Sequence, residues 1–301
     1  MTERAKRPDI IQRLTAEGFE SRNPSPENDE YRRIIYDEQL PRVSGKVSER
    51  KKTFKDPRHA TEHLKRFALE NGADRVAVCR VNQDWVYDGV DVPFRYGIVL
   101  LKEMDYEKIS TAPGDPAGIE CTRTYMVLGE TAVRVGEEIK RLGYDAMIHH
   151  PRGDRDRLSD LMLVPHAISC GLGEHGRNGL MISPDFGPRA RLGMVSTNLE
   201  LVVDQPQERG VARFCEFCTK CLRACPVQAL PAEKRMVRGV LKFTIDAERC
   251  SSFFDKTDGC AICIKECAFN QPTIEKTGWM TERVASWYEL VKAHPGWPEG
   301  L

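Results

Sequence analysis

Eight of the eleven cysteines lie in two closely spaced groups near the C-terminus. In the first group, two residues separate Cys215 from Cys218 and two separate Cys218 from Cys221. Three residues separate Cys221 from Cys225, and proline follows Cys225. The second group has nine residues after its first cysteine and an alanine after its last: Cys250, Cys260, Cys263 and Cys267. Thiolates at such spacings bind four-iron four-sulfur clusters. The sequence therefore predicts an electron-carrying protein with two clusters.

The bacterial two-cluster arrangement also predicts which thiolates share a cluster. The fourth cysteine of each group binds the other cluster, because a short turn wraps one cube with three thiolates and cannot reach its fourth iron. One cluster is then expected at Cys215, Cys218, Cys221 and Cys267. The other is expected at Cys225, Cys250, Cys260 and Cys263.

Two other uses of these cysteines fit the sequence less well. Zinc would favour Cys-x-x-Cys pairs separated by a longer loop, and disulfides would need an oxidising compartment and a secretory signal, for which the sequence gives no sign. The other three cysteines, Cys79, Cys121 and Cys170, are predicted to be small buried apolar residues.

Composition narrows the class of protein. Hydrophobic residues make up 41% of the 301 residues, and no apolar run approaches about 20 residues, which favours a soluble globular protein without a membrane span. Lys plus Arg and Asp plus Glu are balanced at 45 each, so no basic excess favours nucleic acid as a partner. Arg32 and Arg33 are followed by no apolar export segment, and a cytoplasmic location is expected.

Periodicity predicts alternating helices and strands after a charged N-terminal arm, which is expected to be extended or partly disordered. Helical spacing of apolar residues predicts helices over 59–70 and 119–142. Runs rich in β-branched and aliphatic residues predict strands over 75–80, 96–101 and 145–148. This alternation indicates an α/β domain with a mixed sheet.

A glycine-rich segment follows this region, with Gly171, Gly173, Gly176 and Gly179 within nine residues. Its first three glycines have the spacing of a dinucleotide-binding loop, but such a loop follows a strand and opens a helix. Here the segment follows a helical pattern over 158–169, so NAD binding is disfavoured. Closely spaced glycines still favour close backbone approach to a flat or bulky group.

The chain resembles the corrinoid-dependent iron-sulfur reductive dehalogenases and their relative epoxyqueuosine reductase over about residues 57–272. The resemblance rests on Arg-Leu-Gly-Tyr-Asp-Ala ending at Ala146, on the glycine-rich segment through Leu180, on Ser-Pro-Asp-Phe-Gly-Pro-Arg-Ala-Arg-Leu ending at Leu192, on a strand over 195–201, and on the cysteine groups. It implies an α/β fold in which a nitroreductase-like corrinoid-binding domain (55–205) precedes a bacterial-type dicluster ferredoxin domain (206–275). An N-terminal arm (1–54) and a C-terminal tail (276–301) complete the expected organisation.

By this resemblance the group beside the glycines is a base-off cobalamin. The implied contacts are the four glycines with Ser183, Arg189 and Arg191. No Asp-x-His-x-x-Gly sequence is present, so no protein ligand to cobalt is expected. The histidines that could serve instead are His149, His150, His166 and His175, although such residues usually have hydrogen-bonded structural roles.

The resemblance also implies a tyrosine that donates a proton and a basic residue that stabilises negative charge. Tyr125 and Arg177 match these positions. A tyrosine keeps its proton at neutral pH, and a nearby guanidinium would stabilise the phenolate. The structural alternatives are a core tyrosine packed along the helix and an arginine that caps a loop.

The function implied is reduction of a small-molecule substrate, foremost an organohalide that loses halide. Electrons would come from a separate ferredoxin, flavodoxin or reductase. The charged stretch 149–157 is expected to be a solvated loop, with a polar-substrate pocket as the alternative. Two further alternatives are an epoxyqueuosine-reductase-like enzyme acting on tRNA and an electron-transfer ferredoxin that has lost the corrinoid.

Overall fold

The computed structural model describes residues 25–153, 159–254, 257 and 259–272. The α-helices of these residues are α1 (Pro26–Arg33), α2 (Pro57–Glu70), α3 (Tyr106–Ser110), α4 (Asp115–Arg141), α5 (Leu163–Ser169), α6 (Val211–Phe217), α7 (Lys220–Ala224), α8 (Ala247–Phe254) and α9 (Ile262–Lys265). The strands are β1 (Arg75–Arg80), β2 (Tyr96–Glu103), β3 (Ala146–His149), β4 (Glu174–His175), β5 (Met181–Ile182), β6 (Ala190–Thr197), β7 (Lys234–Val237) and β8 (Val240–Phe243). The predicted strand over 195–201 therefore begins earlier and ends at Thr197.

The main sheet has the strand order β1-β2-β6-β3, and its three described pairings are antiparallel. The expectation of a mixed sheet is wrong. Strands β2 and β3 do run parallel, as a strand-helix-strand unit requires, because both are antiparallel to β6. Strand β6 lies between them, however, so the described strands of this sheet form no parallel pair. Mixed α/β architecture is thus confirmed, whereas the strand pairing differs from the prediction.

Helices and loops cover both faces of this sheet. Alternate residues of one strand enter different cores: Val78 packs with α2 and α4, and Ala77 and Cys79 pack with α5. Strand β2 behaves in the same way, with Ile98 on one face and Val99 on the other. A strand buried on both faces is apolar without alternation, which explains the continuous aliphatic runs in the sequence.

Helix α4 is the 27-residue element that carries the candidate proton donor Tyr125. It begins after Gly114 with a proline in its first turn, and Lys140 and Arg141 lie in its last turn, where cations interact favourably with the helix dipole. A Cβ on Gly136 would lie 2.4 Å from the Cδ1 of Ile148. The missing side chain therefore lets the helix pack closely on β3.

The described part of the N-terminal arm begins with helical segments, which differs from the expectation of an extended or partly disordered segment, whereas residues 45–54 have no helix or strand. Helix α1 continues into a π-helix (Ile34–Gln39) and a 3₁₀ turn (Leu40–Arg42). Ile35 and Gln39 are each 1% exposed, and the Gln39 amide donates a hydrogen bond to the Met126 carbonyl of α4 at 2.9 Å. Residues 1–24 of the predicted arm lie outside the described residues.

The C-terminal region contains α6 to α9 and the β7–β8 hairpin. Val211, Cys215, Phe243 and Phe269 form an apolar cluster with Ile182 of β5, so this region packs directly on the glycine-rich segment. Within the described ranges, no helix is both long and apolar enough to span a bilayer. The predicted tail (276–301) lies outside the described residues.

Candidate functional site

Four cysteines line one small cavity in the C-terminal region: Cys215, Cys218, Cys221 and Cys267. These are the four that the crossed arrangement assigns to one cluster. Helices α6 and α7 carry or adjoin the first three, and Cys267 comes from the loop after α9. The rings of Phe214 and Phe269, in edge-to-face contact at 5.0 Å, also line the cavity.

Burial changes the acid-base behaviour of these thiols. It raises the pKa of Cys215 to about 12, partly offset by Arg177, and it raises the pKa of Cys267 well above its ordinary value. The thiols of Cys215, Cys221 and Cys218 raise the Cys267 pKa further, so all four lie within electrostatic range. Because the thiolate is the metal ligand, iron binding at this cavity must release protons.

The remaining four cluster cysteines also approach one another. Burial raises the pKa of Cys263, and neighbouring thiols that include Cys250, Cys260 and Cys225 raise it further. Cys221 of the first cavity also contributes, so the two groups are adjacent. In the described part of the chain, no three His, Cys, Asp or Glu side chains are close enough together to bind a single metal ion. A cube distributes its thiolates over separate corners, so this finding does not bear on the cluster assignment.

Arg177 lies at the first cavity, where its guanidinium donates hydrogen bonds to backbone carbonyls. Nε donates to the Cys215 and Cys218 carbonyls at 2.8 and 3.0 Å. Nη1 and Nη2 donate to three more, those of Pro231, Ala232 and Glu216. The group also stacks over the Phe243 ring at 4.4 Å. These contacts bind all three guanidinium nitrogens to backbone carbonyls of the C-terminal region. The predicted pairing of Arg177 with Tyr125 stays a prediction.

The arginine that contacts Tyr125 is Arg191. Its guanidinium carbon lies 4.6 Å from the centroid of the Tyr125 ring, with Tyr125 on α4 and Arg191 on β6. The Arg191 Nε is buried and has no hydrogen-bond partner among the described residues. A buried donor without a partner costs about 1 to 3 kcal/mol, so this position favours an additional polar or anionic group.

Arg191 also connects Tyr125 with the second cysteine group. Burial lowers the pKa of Arg191, but interactions with Tyr125, Cys121 and Cys263 raise it to a net value above the ordinary one. Cys121 and Cys263 belong to the same apolar cluster, in which Ala261 and Ile264 pack against Ala117 of α4. The proton-donor candidate and a cysteine of the second group therefore both lie near one arginine. Nothing in the local sequence indicates that Cys121 lies there.

The glycine-rich segment does not form an open cradle. A Cβ on Gly173 would lie 2.4 Å from the Ile182 carbonyl oxygen, and one on Gly171 would lie 2.5 Å from the Gln205 oxygen. Gly176 is close to Asn178 and Ile182, and Gly179 faces Ile245 of the C-terminal region. The close approach predicted from these glycines is real, but the neighbour is the chain itself. Their expected role as corrinoid contacts stays a prediction.

Ser183 and Arg189 also have structural partners. The buried Ser183 hydroxyl accepts a hydrogen bond from the Asp185 amide at 3.3 Å. Arg189, 1% exposed, contacts the Glu103 carboxylate at 2.5 Å and donates to the carbonyls of Met104 and Gln271. Its Nε alone has no partner among the described residues. Among the predicted cofactor contacts, Arg191 is the one that the structure places beside Tyr125.

Most of the candidate histidines form polar contacts with other residues of the fold. His149 contacts Asp160 at 3.0 Å and Ser196 at 2.9 Å, and His150 contacts Gln39 at 3.0 Å. These contacts contradict a solvated surface loop for the first two residues of 149–157, while 154–158 lie outside the described residues. Burial lowers the pKa of His166 and of His175 to about 4. Both His175 ring nitrogens are buried without a partner among the described residues.

A larger cavity of about 520 Å³ lies at the β3 edge of the sheet. It is lined by the 43–45 turn, by Phe94 and by polar residues that include Lys140, His150 and Asp160. None of the predicted cofactor-binding or catalytic residues lines it.

Comparison with known proteins provides independent information. No family model matches the chain. The tetrachloroethene reductive dehalogenase of Desulfitobacterium hafniense is 36% identical over 208 residues, which is 65% of this chain and 36% of that protein. The epoxyqueuosine reductase of Lactococcus garvieae is 32% identical over 127 residues, covering 37% of this chain and 32% of its own length.

A solved structure shows the same fold. The catabolic reductive dehalogenase NpRdhA, in complex with 3-bromo-4-hydroxybenzoic acid, matches with a TM-score of 0.75 and 25% identity over 86% of this chain and 38% of that chain. These findings confirm the resemblance stated from the sequence, and the similarity to epoxyqueuosine reductase covers less of the chain. The chain spans about a third of the length of the first curated relatives it matches.

Proposed function

We propose that this chain, a relative of the reductive dehalogenases in sequence and in fold, is a corrinoid-dependent iron-sulfur reductase that removes halide from a small organic molecule. One observation carries the proposal. Arg191 lies against Tyr125 and within electrostatic range of Cys263. A proton donor, a cation and a cluster ligand thus meet at one place.

The residues at hand suit the proposed groups to different degrees. Cys215, Cys218, Cys221 and Cys267 line one cavity and fit a cluster, and the other four cysteines approach one another beside it. A bacterial-type dicluster ferredoxin domain over 206–275, joined to a nitroreductase-like domain, fits this arrangement. For the corrinoid, the unpartnered Arg191 Nε beside Tyr125 fits a further bound group, whereas the glycines do not. The base-off corrinoid, without a protein ligand to cobalt, is accordingly proposed on the Tyr125 side.

The overall change is R–X plus two electrons and one proton giving R–H and halide. The carbon–halogen bond breaks, a carbon–hydrogen bond forms, and the carbon is reduced by two electrons. A low-potential protein donor of the ferredoxin or flavodoxin class, or a reductase, supplies the electrons one at a time. When bound, the corrinoid supplies a metal that can be reduced to a strongly nucleophilic state.

Residues of the protein supply the proton and stabilise the negative charge that forms when it leaves. Tyr125 holds the proton on its hydroxyl oxygen, and its side chain is only half-buried, so a small molecule can approach it. Arg191 stabilises the negative charge that develops on that oxygen as the proton leaves. Met104, Ile109 and Cys121 of α4, each 3% exposed or less, pack in one apolar cluster with Ala261 and Ile264 and keep water from the side that faces the second cysteine group.

Halide release under anaerobic conditions tests the proposal. The protein is reconstituted with iron, sulfide and cobalamin, reduced chemically, and given a panel that includes tetrachloroethene and 3-bromo-4-hydroxybenzoic acid. Halide release that requires cobalamin and is lost in Tyr125→Phe supports the function. Full cofactor loading without release from any aromatic or alkyl halide would contradict the reaction.

A second function is favoured by one observation, the filling of the glycine-rich segment by the chain itself. The protein would then transfer electrons through its clusters without a corrinoid. Cobalamin binding to the anaerobic protein separates the two functions, because the electron carrier would retain about eight irons and bind no cobalt.

A further inference from the structure

Arg177 brings an uncompensated positive charge into the wall of the first cysteine cavity. The residue lines that cavity together with the four cysteines and is 5% exposed. Within the described ranges its polar contacts are the five carbonyl oxygens, and no carboxylate forms a salt bridge with it. An unpaired buried charge is costly unless an opposite charge lies nearby. The buried charge of Arg177 therefore favours an anion bound in this cavity.

The five carbonyls also show what the side chain holds in place. Two belong to Cys215 and Cys218, and one belongs to Glu216 between them. The other two, from Pro231 and Ala232, lie at the start of the β7–β8 hairpin region. One guanidinium thus fixes the loop that carries two cluster ligands against a segment about fifteen residues further along the chain. Arginine suits this role because its five donors have a fixed planar geometry.

A cluster with four thiolates is anionic, and its negative charge increases by one when it accepts an electron. The potential of such a cluster depends on net charge, hydrogen bonding and solvent exposure. A buried cation at the cavity wall stabilises the reduced form more than the oxidised form, because solvent screens it poorly.

We propose that Arg177 is a positioning residue which fixes the loops of the cluster at Cys215, Cys218, Cys221 and Cys267 and raises the reduction potential of that cluster. Its role is to make the first cluster reducible by a donor protein. The inference rests on the proposed cluster assignment, but not on the identity of the substrate.

The test is an anaerobic redox titration of the reconstituted full chain, followed by electron paramagnetic resonance without any halide present. In Arg177→Gln, the ratio of reduced to oxidised first cluster at a fixed potential is expected to fall about tenfold, which is 59 mV for a one-electron couple. The second cluster is expected to keep its potential. Arg177→Lys keeps the charge but cannot reach all five carbonyls, so it should keep a potential close to that of the unchanged protein with lower thermal stability.

Lys220→Gln is the matched control. Lys220 also lines the cavity but is exposed, so removing its charge should change the ratio much less than Arg177→Gln does. An unchanged potential in Arg177→Gln with full iron content would overturn the inference, and so would an equal shift in Lys220→Gln. A tenfold shift in Arg177→Lys, which keeps the positive charge, would also overturn the inference. Normal cluster titrations without halide release in the separate assay would instead contradict the proposed reaction.

Discussion

The guanidinium carbon of Arg191 lies 4.6 Å from the centroid of the Tyr125 ring, across the interface between β6 and α4. The two residues are 66 positions apart in the chain, and the Arg191 Nε has no partner among the described residues. A phenol beside a cation with a free donor can release a proton to a bound group.

Tyr125→Phe should lower the halide-release rate by about 100-fold or more, the usual contribution of a general acid. Cobalamin and iron contents should be unchanged, because the ring that packs on Arg191 is retained. Arg191→Met should lower the rate to a similar extent. The double variant should be little slower than either single variant, because residues that act as a unit are not additive. A double variant slowed by the product of the two single effects would show that the residues act independently.

Single cysteine variants test the crossed assignment. Cys267→Ser and Cys218→Ser should abolish the same paramagnetic signal, because both residues line the first cavity. Cys263→Ser and Cys250→Ser should abolish the other. Each variant should bind about half of the eight irons that two cubes contain. Loss of one common signal in Cys267→Ser and Cys263→Ser would refute the crossing.

Gly173→Ala tests whether the glycine-rich segment packs on itself. The added Cβ would lie 2.4 Å from the Ile182 carbonyl oxygen, and overpacking of this kind costs about 1 to 3 kcal/mol. Chemical denaturation should therefore give a lower free energy of unfolding. Gly193→Ala is the control, since its Cβ would meet its nearest neighbour at an ordinary 3.5 Å. Equal stability of the two variants would mean that the segment is open at Gly173.

The buried His166 predicts how stability depends on pH. Its Nδ1 donates to the Met162 carbonyl at 2.7 Å, and its Nε2 accepts from the Asn82 amide at 3.2 Å, so the folded protein holds the neutral ring. Burial lowers its pKa from 6.5 to about 4. Below pH 6.5 the unfolded chain binds a proton that the folded chain excludes, so the free energy of unfolding should fall as the pH is lowered towards 4. The loss is at most about 3 kcal/mol for this residue.

His166→Gln supplies the comparison, because glutamine can donate to and accept from neutral partners without titrating. Denaturation at several pH values should show a shallower decline for this variant than for the unchanged protein. Identical slopes would mean that His166 is protonated in the folded state or that its environment is open to water.

The sequence was most informative where a local pattern determines the structure. Helix α4 and strands β1 to β3 follow from apolar periodicity, and cysteine spacing predicted the four residues that line the first cavity. The insertion of β6 between β2 and β3 could not be predicted, because strand order depends on contacts far apart in sequence. The contact between Tyr125 and Arg191 could not be predicted for the same reason. Arg177 is bound by carbonyls 38 to 55 positions away, and no local pattern encodes those contacts.

A joint determination of cobalt and iron tests the central proposal most directly. The full chain is reconstituted anaerobically with iron, sulfide and cobalamin, freed of unbound cofactor, and analysed together with Tyr125→Phe and Arg191→Met. The expected result is about eight irons and about one cobalt per chain, with an absorption spectrum of reduced cobalt after chemical reduction and weaker cobalamin binding in Arg191→Met. About eight irons with no bound cobalt would contradict the proposal and leave a protein that only transfers electrons.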